Sequence, residues 1–295
     1  MAKPRFGGAI TALITPFMNG AVDEKKFQDF VEWQIKEGIN GVVPCGTTGE
    51  SPTLSHEEHN RVTKLCVEAS AGRVPVIAGT GSNSTAEAIS LTRHAQEAGA
   101  DAALIVMPYY NKPTQAGMIA HFKAIHDATD IPILIYNIPG RSVVDMKVET
   151  MAELAKLPRI VGVKDATNDL TRPVTTRLAI GDDFTQLSGE DGTQVAYLGQ
   201  GGHGVISVTA NIAPRLVSEI HAAWKKRDID TVMALNDRLM PVHEAMFCES
   251  SPGPVKYAAE LIGKSSAETR LPLTAIDSSS KARVEKAMRT AGLIN

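Results

Sequence analysis

A TIM (β/α)8 barrel with a C-terminal helical appendage is the fold this sequence predicts, and three observations carry it. Short, β-branched runs alternate with amphipathic helical stretches, eight times, up to about residue 226. The runs are apolar throughout and do not alternate in polarity, as suits parallel strands covered on both faces. Beyond about residue 227 the strand-like runs cease and only helical patterns remain. A doubly wound open sheet is the alternative, but it would usually carry a glycine-rich nucleotide loop after its first strand, and none stands there. The expected division is a barrel over residues 1–226 and a helical appendage over 227–295, a stretch shorter than a typical separate domain.

The strand runs are GAITALIT (8–15), GVVPCG (41–46), VPVIAGT (74–80), DAALIVM (101–107), IPILIYN (131–137), RIVGVK (159–164), FTQLSG (184–189) and GVISVT (204–209). Helical segments between them include 24–37, 55–71, 84–98, 114–128 and 147–156. Two helix starts carry capping boxes, Ser55 with Glu58 and Ser84 with Glu87. Gly99 closes the third of these helices before a buried strand. Lys3 and Arg5 precede an apolar run, as in a secretory leader. Thr11 and Thr15 interrupt that run, however, and Pro16 ends it without a small-residue cleavage site, so it reads as the first strand. In the appendage, DIDTVMALNDRLMPVHEAMF, GPVKYAAELIG and SSKARVEKAMRTAGL read as helices.

Of the 295 residues, 43% are hydrophobic and 21% charged, an ordinary soluble composition. A net charge of -3 offers no footprint for nucleic acid and no polybasic membrane patch. No apolar stretch reaches the ~18 residues of a membrane span. Cys45, Cys66 and Cys248 are odd in number and far apart, which points to a reducing, cytoplasmic setting.

In such barrels chemistry sits at the C-terminal ends of the strands. There the sequence places GTTGE (46–50), PYYNKP (108–113), YNIPGR (136–141), Lys164, SGED (188–191) and Ile206. Lys164 lies in the apolar context RIVGVKDATND, and alternation puts it on the same face as Gly162 and Ile160. A lysine is rarely buried unless it is paired or used. At the ordinary lysine pKa of ~10.4 few side chains are neutral at pH 7; an apolar barrel favours the free amine. A free amine attacks a ketone, and the protonated imine becomes an electron sink for making or breaking a C–C bond. The plainer reading is a strand-end lysine reaching toward solvent.

Tyr136 and Tyr110 are phenols at strand ends, suited to the proton shuttling that imine chemistry needs, with Thr47 as a hydroxyl relay. Tyr136 alone also suits a barrel rim. Arg141 is placed to clamp a carboxylate with two parallel hydrogen bonds, or is a solvated loop residue. The eight histidines show no HExxH or HxH spacing, so no metal site is expected. The glycine-rich GQGGHG (199–204) reads as a tight turn, and Cys45 as a small buried residue.

Taken together, GTTGES, PYYNKP, YNIPGR, GVKDAT and GGHGVISVTAN make the whole chain resemble the dihydrodipicolinate synthase branch of the class I pyruvate aldolases and lyases. The resemblance implies an enzyme that needs no cofactor and condenses pyruvate with L-aspartate 4-semialdehyde on the way to diaminopimelate and lysine. It implies that Lys164 forms the Schiff base, with Tyr136 as general acid/base, Thr47 as relay and Tyr110 reaching in from a neighbouring subunit. Thr48 and the backbone at Ile206 match the positions holding the pyruvate carboxylate, Arg141 the one receiving the semialdehyde, and Gly189 belongs to the same binding set. Asp165 stands where a glutamate is common, and Glu190 where many relatives have aspartate. The family is usually a homotetramer, a dimer of tight dimers. Ser51, Pro52, His56, His59, Asn83, Glu87 and Tyr109 match the feedback site for L-lysine in sensitive relatives, although some of those have alanine in place of Pro52. His56 and His59 stand three apart, on neighbouring positions of one helix face.

Two rivals remain. One is another pyruvate-dependent lyase, such as N-acetylneuraminate lyase or a sugar-acid aldolase; the second threonine of GTTGE and Arg141 argue against it, since a small acidic acceptor needs a cation where a sugar needs hydroxyl partners. The other is a binding or regulatory barrel without chemistry.

Overall fold

A computed structural model describes residues 6–295; Lys3 and Arg5 lie outside the described residues. The architecture is the TIM barrel. Its eight strands are β1 (Gly8–Ala12), β2 (Gly41–Val43), β3 (Ile77–Gly79), β4 (Ala102–Val106), β5 (Ile133–Asn137), β6 (Ile160–Asp165), β7 (Thr185–Ser188) and β8 (Gly204–Ser207). They run in the sheet order β2-β1-β8-β7-β6-β5-β4-β3. Each of the eight expected runs holds one strand, generally trimmed at its ends. At β2 the trimming has a clear cause. Pro44 lacks the N–H that would continue the ladder, and Cys45 turns into the left-handed region with φ 54, so the strand stops at Val43. A small antiparallel hairpin, Phe17–Met18 with Ala21–Val22, was not expected.

The chain forms two compact units. Pro75–Ile206 carries β3 through most of β8. Its core joins Ile105, Ile133 and Ile135 from the strands to Met118, Phe122 and Ile125 of the helix Gln115–Ala128 and Met151 and Leu154 of the helix Val148–Leu154. The other unit, Gly8–Val74 with Ser207–Asn295, carries β1, β2 and the C-terminal helices. There the helix Ile229–Ala245 packs on both Pro214–Lys226 and Ser278–Thr290, and Gly253–Leu261 packs on the last.

Local signals set the helix ends. Ser55 and Glu58 form a reciprocal capping box, Ser55 N donating to Glu58 Oε2 at 2.9 Å and Glu58 N to Ser55 Oγ at 3.1 Å. The second expected box is altered. Ser84 Oγ caps Glu87 N at 3.5 Å, but Ser84 N donates to Ser82 Oγ at 3.0 Å, and the Ser82 hydroxyl donates to the Glu87 carboxylate. Ser82 is thus inserted between the two ends of the motif. Gly99 ends its helix at φ 91, as its lack of a Cβ allows.

Candidate active site

Within Pro75–Ile206 the ends of β5 and β6 bring together the two groups the sequence singled out. Tyr136 and Lys164 are direct partners across these parallel strands. Each is 6% exposed, and Lys164 Nζ lies 4.1 Å from the centroid of the Tyr136 ring. A cation over the face of an aromatic ring is held by the ring quadrupole, so the amine is oriented by its neighbour. The plainer reading, a lysine reaching toward solvent, is not what is seen: Lys164 is buried.

The strand below the lysine differs from plain alternation. The β5–β6 register shifts between Ile133 and Leu134, which pair with Ile160 and Gly162 and leave Val161 as an extra residue. Ile160 therefore packs in the same apolar cluster as Val163, against the helices, where alternation would have separated them. Gly162 keeps phase with Lys164, but Ile160 does not. Gly162 is required by its neighbour, since a Cβ there would sit 2.5 Å from Thr185 O and 2.6 Å from Thr185 Cβ. Gly162→Ala is expected to destabilise the protein by about 1–3 kcal/mol, read as a lower urea midpoint, because β7 must move to admit the methyl.

A polar network sets the same strand ends. Asn137 Nδ2 donates to Asp145 Oδ1 at 2.7 Å, and Arg172 Nη1 lies 3.1 Å from Asp145 Oδ2. Arg172 Nε lies 3.2 Å from Asp165 Oδ2, and Arg172 Nη2 donates to Met146 O at 2.6 Å. Asp165 also accepts from Thr167 N and Oγ1, at 2.9 and 2.6 Å. Burial pushes the Asp165 carboxyl up, while the Thr167 bonds and the Arg172 charge oppose it. Asn137 and Asp165 each follow the functional residue of their strand, so the network fixes Tyr136 and Lys164 in relation to each other. Its arginine and Asp145 were not singled out in the sequence, where nothing marks them.

Tyr109, Tyr110, Lys112, Arg141 and Val143 line an open cleft of about 740 Å³. Tyr110 is 88% exposed and has φ 70; Val143 is 65% exposed with φ 67. Arg141 is exposed, on the one-turn helix Pro139–Ser142. Half-buried Glu190 feels both Lys164 and Arg141: burial pushes its carboxyl up, and the two cations act against that. Gly189 N donates to Asp165 O at 2.6 Å, and a Cβ at Gly189 would come within 2.7 Å of Ala166 Cβ. Ile206 is fully buried in β8. The glycine-rich stretch before β8 is a turn, with Gly201 at φ 94.

The loop after β2 belongs to the other unit. Gly49 N donates to Gly46 O at 3.1 Å and Glu50 N to Thr47 O at 3.2 Å, so Thr47 and Thr48 sit on a tight turn. Thr47 is half-buried and Thr48 buried. Cys45 is indeed a small buried residue, its Sγ 3.5 Å from His59 O, and burial pushes its thiol up to about 12. Glu50 ends the turn and meets a residue that sequence reasoning passed over. Lys256 Nζ donates to Glu50 Oε1 at 2.6 Å, with the two side chains 0% and 1% exposed. Burial pushes the Lys256 ammonium down and the Glu50 charge opposes it. A lysine within the apolar helix GPVKYAAELIG was the available signal.

The residues matched to a lysine site are distributed as follows. Ser51 and Pro52 form part of a 3-10 turn, His56 opens the helix His56–Ser70 and is exposed, and His59 is buried. The two histidines therefore do not share one exposed face, because successive helix positions three apart fall on either side of the burial boundary. In the first unit Asn83 O accepts from Asn111 Nδ2 at 2.8 Å, and Tyr109 and Glu87 are half-buried.

The dihydrodipicolinate synthetase family model matches residues 5–291. A 4-hydroxy-tetrahydrodipicolinate synthase of Rhodospirillum centenum is 65% identical over 289 residues, covering 98% of this chain and 99% of the relative. A crystal structure of a dihydrodipicolinate synthase from Acinetobacter baumannii complexed with pyruvate has a TM-score of 0.95 at 45% identity, covering 98% of this chain and 99% of that one. A synthase from Cyanidioschyzon merolae with lysine bound has a TM-score of 0.96 at 38% identity, covering 99% of this chain and 100% of that one. With a family match running almost from end to end and a buried lysine on a tyrosine at the strand ends, this chain belongs to the dihydrodipicolinate synthetase family.

Proposed function

We propose that this protein is a lyase that condenses pyruvate with L-aspartate 4-semialdehyde to give 4-hydroxy-tetrahydrodipicolinate, the first committed step of the diaminopimelate route to lysine. The observation that carries this is the buried Lys164 amine over the Tyr136 ring on the adjoining strand. Lys164 Nζ attacks the pyruvate ketone, and loss of water leaves a protonated imine. Loss of a methyl proton gives an enamine, whose carbon attacks the semialdehyde's carbonyl carbon. Attack of the semialdehyde's own amine on the imine carbon then closes the ring and frees Lys164. Tyr136 supplies and takes the protons, and Thr47 and Tyr110 extend the relay. Thr48 and Ile206 hold the pyruvate end, Gly189 belongs to the same substrate-binding set, and Arg141 takes the acceptor's carboxylate.

The 88% exposure of Tyr110 supports a phenol that completes its work against a second copy of the chain, in a homotetramer of two tight dimers in the cytoplasm. The barrel spans 1–226 and the appendage 227–295 in this reading. No cofactor enters it.

The test offers the purified protein pyruvate with either aspartate semialdehyde or, in the cleavage direction, N-acetylneuraminate. Turnover is expected with the first only. Turnover with the sugar acid alone makes the protein the other lyase, and borohydride trapping without turnover on either leaves a different acceptor. L-Lysine at millimolar levels is expected to inhibit the same assay through Ser51, Pro52, His56, His59, Asn83, Glu87 and Tyr109, and Glu87→Ala to relieve that inhibition. Coupling of ~1–3 kcal/mol is enough for the effect. Full activity at about 10 mM lysine, a weak-binding concentration, or unchanged inhibition in the variant, rejects the site.

A further inference from the structure

We propose that Glu50 and Lys256 are a positioning pair: a buried ion pair that sets the Gly46–Ser51 turn and, through it, Thr47 and Thr48. The inference rests on the roles proposed above for these threonines. The turn is bracketed by two residues in the left-handed region, Cys45 at φ 54 and Glu50 at φ 57, and neither is glycine. Such backbone persists only where surrounding contacts over-determine it. Several do. Thr15 Oγ1 donates to Gly49 O at 2.7 Å, and Thr53 N and Oγ1 donate to Glu50 O at 3.0 and 3.1 Å.

The Glu50 carboxylate supplies the remaining hold, and both its oxygens are used. Oε1 accepts from Lys256 Nζ at 2.6 Å, and Oε2 accepts from Arg270 N at 3.0 Å. Lys256 comes from the helix Gly253–Leu261, and its Nζ lies 4.0 Å from the centroid of the Phe17 ring. The Arg270 guanidinium covers the same ring at 4.4 Å and is itself tied to Glu58 at 2.6 and 2.7 Å and to Thr53 O at 2.8 Å. Two elements of the C-terminal region therefore grip one side chain of the turn. The backbone transmits that grip over a short path, since Glu50 N is the donor to Thr47 O at 3.2 Å. Removing Lys256 strands a buried carboxylate without its counter-charge, and the cheapest relief is for Glu50 to swing toward water and carry the turn with it.

This also separates the two buried lysines by chemistry. Lys256 spends its ammonium on a carboxylate and a ring, and neither contact leaves a free amine for substrate. Lys164 has the ring of Tyr136 beside it.

The experiment compares wild type, Lys256→Met, Glu50→Gln, the double variant and Lys256→Arg. Three readings are taken on each: pyruvate-dependent borohydride trapping at Lys164, steady-state kinetics, and amide hydrogen exchange of the peptide covering 45–54. Lys256→Met and Glu50→Gln are each expected to exchange faster in that peptide and to need more pyruvate for half-maximal trapping. Turnover should fall on the order of 100-fold, the effect of an ångström-scale misplacement, while trapping at saturating pyruvate still marks Lys164. The double variant should lose much less than the product of the singles, and Lys256→Arg should retain most activity. If Lys256→Met does not fold, Glu50→Gln, of the same shape, carries the test alone. Wild-type exchange with wild-type kinetics in Glu50→Gln overturns the proposal. So does faster exchange with unaltered kinetics, which makes the pair structural only. Absence of trapping at Lys164 in the wild type strikes the functional reading instead, and the exchange data still report whether the pair holds the turn.

Discussion

Replacing Lys164 by alanine is expected to abolish the covalent pyruvate adduct and lower turnover by on the order of 10,000-fold or more, the scale on which losing a covalent nucleophile acts in other enzymes. The protein should remain folded. Lys164 is buried with an aromatic ring as its neighbour, and truncating it removes a polar group from an apolar setting as well as losing packing. Mass spectrometry after pyruvate and borohydride reads the adduct, and circular dichroism reads the fold. An adduct on another lysine would sink the assignment, and Lys256 is the one to inspect because it is buried too. Lys164→Arg should fail equally, since a guanidinium stays protonated and cannot serve as the amine.

Replacing Arg141 by alanine should lower kcat/KM for the semialdehyde by roughly 30- to 1,000-fold, the expected loss of a charge-assisted bidentate contact made to the acceptor. Pyruvate trapping at Lys164 should stay near wild type. The separation follows from position: Arg141 is exposed in the cleft with Tyr109, Tyr110, Lys112 and Val143, whereas Lys164 is buried at the end of β6. Steady-state kinetics in each substrate, with trapping alongside, distinguishes the two steps. A parallel fall in trapping would mean that Arg141 shapes the whole site and does not serve the acceptor alone.

Much of this protein was legible in its sequence, because the determining signals are local. Eight apolar runs separated by helical periods specify strands and helices through neighbours a few residues away, and Ser55 with Glu58 marks a helix start within four positions. Lys164 stood out for the same reason, being a charge directly after the apolar run Ile160–Val163. Other features depend on segments far apart in the chain. The close approach of Thr185 to Gly162 and the register shift that moves Ile160 out of phase with Lys164 arise from strand pairing, which alternation along one strand cannot register. The capping contact that Ser82 displaced is by contrast local: its hydroxyl comes from only two positions before Ser84, and the capping-box pattern does not read that position. The clearest case is the second lysine. Read alone, Lys256 in GPVKYAAELIG raises the same question as Lys164 in RIVGVKDATND. Its answer, Glu50, lies 206 positions away. The sequence by itself determined that two lysines sit in apolar segments; only tertiary packing decided which faces a carboxylate and which faces a tyrosine, because a buried charge takes its chemistry from the group beside it in space.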